Sequence, residues 1–169
     1  VSNVRSTTAL ENCVLTNNRA LGNGGAISNQ VSGTVTIING LIAGNATTGI
    51  GGGVRNDGPT LSVINSTIID NRANTGGGLA LRAGSAAVAN SVVYFNRDVG
   101  GTDESAQIDK GAGALALSYS DVQGLTGGFG GAGNVGGNPG LITDGAWDDN
   151  GTPGDPSDDF YIPGDPRLG

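Results

Sequence analysis

The 169-residue chain has no histidine and no methionine, one cysteine, one tryptophan, three phenylalanines and three tyrosines. A single cysteine, Cys13, makes no internal disulfide and leaves the redox compartment open. So few aromatics force a thin core built from Val, Ile, Leu and Ala. No run approaches the ~18 apolar residues of a membrane span, and no segment reads as a signal peptide. Eight Lys and Arg stand against fifteen Asp and Glu, a formal charge of −7, so the basic face that phosphate binding needs is missing and nucleic acid is not an expected partner. The glycine-rich runs at 49–53 and 127–133 are followed by no Lys-Ser/Thr, which excludes a phosphate-cradling loop. With no methionine even at residue 1, the chain reads as a mature or excised piece of something longer.

What is abundant is glycine, 33 residues, and it recurs in register. Asn12-Cys13-Val14-Leu15 returns as Asn39-Gly40-Leu41-Ile42, as Asn65-Ser66-Thr67-Ile68 and as Asn90-Ser91-Val92-Val93, at spacings of 27, 26 and 25 residues. A second block travels with it: Gly24-Gly25-Ala26-Ile27, Gly51-Gly52-Gly53-Val54 and Gly76-Gly77-Gly78-Leu79. Self-similarity at this period marks a solenoid, each repeat one turn that buries its apolar face only against a neighbour.

Within a repeat, three short extended segments alternate inward and outward residues with period two. In the first segment Leu15, Ile42, Ile68 and Val93 form an inward column, shared with the small Cys13, Gly40, Ser66 and Ser91. Thr16, Ala43, Ile69 and Tyr94 are expected to point outward. Ile27, Val54 and Leu79 anchor the second segment. Val35 with Ile37, Leu61 with Val63, and Ala86 with Val88 anchor the third. The column Asn12, Asn39, Asn65, Asn90 is expected to pass amide hydrogen bonds from coil to coil, and Asn18, Asn45, Asn71, Asn96 to sit at left-handed turn positions. The fourth coil breaks the pattern, so residues 97–113 read as an extruded loop with Gln107-Ile108 as a remnant strand.

The fold expected is therefore all-β: a right-handed parallel β-helix of about four coils over residues 1–126, then a long irregular Gly/Asp-rich closing segment, 127–169, able to cap the last coil. The repeated Asn-Ser-x-Ile/Val and Gly-Gly-Gly-Val/Leu, with Tyr119-Ser120-Asp121-Val122, Gly133-Asn134-Val135 and Trp147-Asp148-Asp149-Asn150-Gly151, resemble the glycine- and asparagine-rich parallel β-helix proteins of bacterial surfaces and secretions, of the kind abundant in Planctomycetes. The resemblance implies a secreted or cell-surface location.

Proteins of the same fold include polysaccharide hydrolases and lyases. The hydrolases set paired carboxylates beside a histidine, which this chain lacks. Lyases use a carboxylate-bound calcium with a nearby Arg or Lys. Asp121 beneath Arg97 or Lys110 is the one cluster of that kind in the coils, while Asp70 and Arg72 read as a solvated charge pair. Tyr94, Phe95, Tyr119 and Trp147 are the candidate sugar platforms. Seven of the thirteen aspartates lie between 144 and 165. There, Asp148, Asn150, Asp155, Asp158 and Asp159 cluster around a glycine turn with the oxygen donors that Ca²⁺ accepts, making a structural calcium site the expected cofactor. The expected function is a non-catalytic module for display, adhesion or assembly. Two alternatives stay open: a polysaccharide-binding or polysaccharide-cleaving β-helix, and a filament subunit that joins another copy of itself through its N-terminal coil end.

Overall fold

The computed structural model describes residues 1–143, 145–155 and 158–168. Three five-stranded parallel sheets wind into a β-solenoid of about four turns. The first-segment sheet stacks Val14–Thr16, Leu41–Ala43, Thr67–Ile69, Val92–Tyr94 and Asp121–Val122. The second stacks Ser2–Asn3, Ile27–Asn29, Val54–Asn56, Leu79–Leu81 and Ile108–Asp109. The third stacks Thr7–Glu11, Thr34–Ile38, Thr60–Ile64, Ser85–Ala89 and Ala114–Ser118.

The registers are those the repeat dictates. Ile68 pairs with Ile42 and Val93, Leu61 with Val35 and Ala86, and Leu79 with Val54 and Ile108. A slip of one residue would turn each of these columns out of the core. All of them sit in one buried cluster that continues from coil to coil. Cys13 departs from the expected buried filler: it is half-buried, and its thiol reaches the Glu11 carbonyl at 3.3 Å.

The two asparagine columns exchange the expected roles. Asn12, Asn39, Asn65 and Asn90 hold the left-handed turns, with φ between 50° and 52°. One amide bond of the expected kind remains among them, Asn39 Nδ2 to Asn12 Oδ1 at 3.2 Å, but the continuous ladder is made by Asn18, Asn45, Asn71 and Asn96, each Nδ2 donating to the next Oδ1 at 2.9 Å. A residue at a left-handed corner directs its side chain away from the coil axis, whereas the second position after the first strand points inward, where an amide must be satisfied. Asn45, Asn71 and Asn96 are fully buried. A second amide ladder, Asn3 to Asn29 to Asn56, runs at 3.0 and 2.7 Å. A serine ladder runs just before the first strand: the backbone N–H of Gly40, Ser66 and Ser91 donate to the hydroxyls of Ser66, Ser91 and Ser120.

Within 97–113, residues 98–103 alone stand out from the coil as a loop. A short outward excursion, with Val99 exposed, returns through a four-residue helix, Glu104–Gln107, capped by Asp103. Gln107 is fully buried and takes the place of the fifth asparagine, accepting from Asn96 Nδ2 at 2.9 Å. The longer side chain lets a helical turn supply the amide that a strand corner supplies elsewhere. Ile108 then pairs with Leu79, as the remnant strand expected there does.

The closing segment does two things rather than one. Residues 125–135 cover the last coil: Phe129 and Leu125 pack on the core, Tyr119 N–H donates to the Ala132 carbonyl, and Asn134 Oδ1 ends the serine ladder. Beyond that, Leu141–Thr143 pairs antiparallel with Asp165–Leu168, and Ala146–Asp148 with Phe160–Ile162. This hairpin lies along the side of the solenoid, not over its end. It covers Ala43, Ile69 and Tyr94, which are therefore buried and not solvent-facing.

Candidate functional site

The hairpin docks where the sequence leaves room for it. Gly44 stands in the left-handed region at φ +61°, and the Tyr161 ring occupies the space its Cβ would fill. Tyr161 is 2 % exposed, and its hydroxyl donates to Asp70 Oδ2 at 2.9 Å while Trp147 Nε1 donates to the Asp70 carbonyl at 2.8 Å. Asp70 thus binds the hairpin and is buried beneath it rather than solvated beside Arg72.

Beside this dock, the residue after each ladder asparagine points outward at the corner: Arg19, Ala46, Arg72, Arg97. Arg19 pairs with Ala46 across a parallel ribbon, and isolated bridges join Ala46 to Arg72 and Arg72 to Arg97. Arg72 stacks on the Trp147 indole, 4.3 Å from its centroid, and its Nη1 lies 3.1 Å from Asp159 Oδ2. Arg19 Nη1 donates to the Asp159 carbonyl at 3.1 Å. Burial lowers the Arg72 pKa; the carboxylates of Asp159 and Asp70 raise it in part, and like charges at Arg97 and Arg19 push it down again. Ala46, the one small residue in the column, leaves a gap. Two adjoining clefts of ≈ 220 Å³ each open there, sharing Arg19, Ala46, Trp147 and Asp159 as walls. The arginine column is present in the sequence as Asn18-Arg19, Asn71-Arg72 and Asn96-Arg97, a recurrence interrupted by Asn45-Ala46.

The residues marked out in the sequence fare unevenly. Trp147 lines both clefts, Tyr94 and Phe95 meet edge to face at 4.8 Å under the hairpin, and Tyr119 stands exposed on the covered end of the stack. Asp121 makes no ion pair with Arg97 or Lys110. Its Oδ1 is buried without a hydrogen-bond partner among the described residues, and burial raises its pKa.

At the hairpin tip, Asp148 Oδ1 caps the Asn150 N–H at 2.8 Å, Asp158 accepts from Thr152 Oγ1 at 2.8 Å and from Asn150 Nδ2 at 3.3 Å, and Asp155 N–H donates to the Thr152 carbonyl at 2.9 Å. Asp159 belongs to Arg72. Among the described residues no three His, Cys, Asp or Glu gather at one point; Asp144 lies outside those residues.

No family model, no curated protein and no solved structure matches the chain. Its class is defined by the coordinates alone: a parallel β-solenoid with stacked asparagines.

Proposed function

We propose that the chain is a non-catalytic module of the glycine- and asparagine-rich bacterial β-helix type, carried on a cell surface or secreted, and used as a rigid rod for display, adhesion or assembly. The observation that supports this reading is the unbroken amide ladder from Asn18 to Gln107. Each ladder oxygen also accepts the backbone N–H of the preceding rung's asparagine, at 2.9 to 3.0 Å. A coil that tilts or slips loses both bonds in a buried setting, where an unmet polar group costs about 1–3 kcal/mol. Neighbouring coils are thus fixed to one another, as a spacer requires.

Amide hydrogen exchange tests the rod. The N–H groups of Asn45, Asn71 and Asn96 are expected to exchange only through global unfolding, and opening of one coil ahead of the others would contradict rigidity. The polysaccharide-cleaving reading draws on Asp121, a half-buried carboxylate with a raised pKa that fits a general base. Incubation with uronate polysaccharides, followed for unsaturated products, separates the two. Turnover abolished by Asp121→Asn would overturn the non-catalytic reading.

A further inference from the structure

The corner of the solenoid presents like charges in register. Arg19, Arg72 and Arg97 occupy three of four consecutive rungs, and the fourth position holds Ala46. Adjacent rungs lie about 4.8 Å apart, so Arg19 and Arg72 flank the Ala46 gap from about 10 Å. The hairpin roofs that gap with the flat indole of Trp147. The floor and rim are Ala46, Ala73, Thr47, Thr48 and Asn74. The threonine hydroxyls and the Asn74 amide already donate to backbone carbonyls, so the groups left to meet a ligand are the guanidinium donors. Each guanidinium offers five N–H groups. Among the described residues, Arg19 and Arg72 spend Nη1 alone on a hydrogen bond, in both cases to Asp159.

Size and shape narrow the ligand. At ≈ 220 Å³ each compartment is smaller than the roughly 300–1,000 Å³ of a drug-sized ligand site, and fits about one ring. Two such compartments meet along a shared wall, so the cleft suits two consecutive rings of a chain better than a single small anion. One compartment is walled by Arg19 and Arg72, with Asp159 the sole carboxylate there among the described residues. The other sets Arg19 against Asp158 and Asp159, beside Phe160. A carboxylate bound between Arg19 and Arg72 also relieves the repulsion along the corner column.

We propose that this cleft is a binding site for an acidic saccharide, one ring carrying its carboxylate between Arg19 and Arg72 beside Trp147, and the adjoining ring lying between Arg19 and Phe160. The site adds a ligand to the rod and requires no chemistry of it.

Trp147 is the sole tryptophan, so its emission reports the cleft directly. The protein is titrated at low salt with a galacturonate tetrasaccharide, a neutral glucose tetrasaccharide, and acetate at matched carboxylate concentration. A saturable emission change with the galacturonate alone is expected, weakening as salt screens the arginines. Arg19→Ala should weaken binding about tenfold or more, the equivalent of one charge-assisted hydrogen bond. Arg19 is exposed, so the fold should survive that change. Ala46→Leu fills the gap without altering charge and should abolish binding, with the urea midpoint of each variant confirming folding. A flat titration, an equal response to the neutral saccharide or to acetate, or undiminished binding in folded Ala46→Leu would overturn the site. None of these outcomes bears on hydrogen exchange in the coils, so the rod reading stands or falls separately.

Discussion

Asn71→Ala removes the middle of the amide ladder and shows what the ladder contributes. Asn71 Oδ1 accepts from both the backbone N–H and the side-chain amide of Asn45 at 2.9 Å. Its Nδ2 donates to the Ile42 carbonyl and to Asn96 Oδ1, again at 2.9 Å. After truncation the Asn45 side-chain amide keeps the Leu15 and Ala43 carbonyls, and Asn96 Oδ1 keeps the residue-71 N–H. The Asn45 backbone N–H keeps nothing. One orphaned buried donor costs about 1–3 kcal/mol, and the two lost Nδ2 bonds add about 1 kcal/mol each, for a total of about 3–5 kcal/mol. The first asparagine of the same ladder is the internal control. Asn18 is exposed and gives Nδ2 to the Thr16 carbonyl at 3.2 Å and to Asn45 Oδ1. Its loss should cost about 1 kcal/mol or less, because water replaces what is removed. Urea unfolding of both variants supplies the comparison through the midpoint and slope. Equal destabilisation by Asn18→Ala and Asn71→Ala would refute the argument, since Asn71 is buried and its loss orphans the Asn45 N–H, while Asn18 is exposed and its loss orphans no donor.

Four other outcomes are expected. Ile68→Ala deletes most of a fully buried side chain in the central rung and should cost about 2–4 kcal/mol in the same urea assay, through the cavity it leaves. Asp121 has a native pKa raised by burial, so the native state binds the proton more tightly than the unfolded state. Its contribution therefore falls as pH rises from the unfolded pKa through the raised native one, and Asp121→Asn should remove that loss and raise the melting temperature at neutral pH. Tyr161→Ala should free the hairpin, giving early proteolytic cleavage between 141 and 168 and a red-shifted Trp147 emission, while the coils keep their strand circular dichroism. Millimolar Ca²⁺ is expected to raise the melting temperature relative to excess chelator, an increase lost when Asp148→Asn is combined with Asp155→Asn; identical melts would leave those aspartates as turn formers.

The coils were legible because the repeat aligns chemically like residues, and alignment in a solenoid is contact. Leu61 sits above Val35 in sequence register and pairs with it in space. The roles of the two asparagine columns were not legible, since both satisfy the same composition rule. What separates them is whether the side chain points into the coil, and that depends on a corner dihedral. The second ladder was missed because Asn3, Asn29 and Asn56 end there: the equivalent position in the next coil is Leu81, and Asn56 turns its amide to the Gly58 and Ala83 carbonyls at 3.0 and 3.1 Å. The ladder role of Gln107 was hidden for the opposite reason. It keeps the amide and changes the backbone beneath it, from strand corner to helix.

The cleft fell outside the reach of the repeat because only one of its sides is repetitive. Arg19, Arg72 and Arg97 follow from the coil period, and so does the gap at Ala46. The other wall, Trp147 with Asp158, Asp159 and Phe160, belongs to a segment with no period at all. Its docking depends on singular features: Gly44 where the other coils carry Asn17, Asp70 and Phe95 at the same left-handed corner, and an aspartate at that corner in the neighbouring coil. Gly44 makes the socket for the Tyr161 ring and Asp70 supplies its hydrogen bond, so the two deviations from the repeat meet at one side chain. A regular solenoid offers the same surface at every rung. This one becomes locally distinct where two coils depart from the pattern and a hairpin reads the departure, and the cleft lies beside that contact.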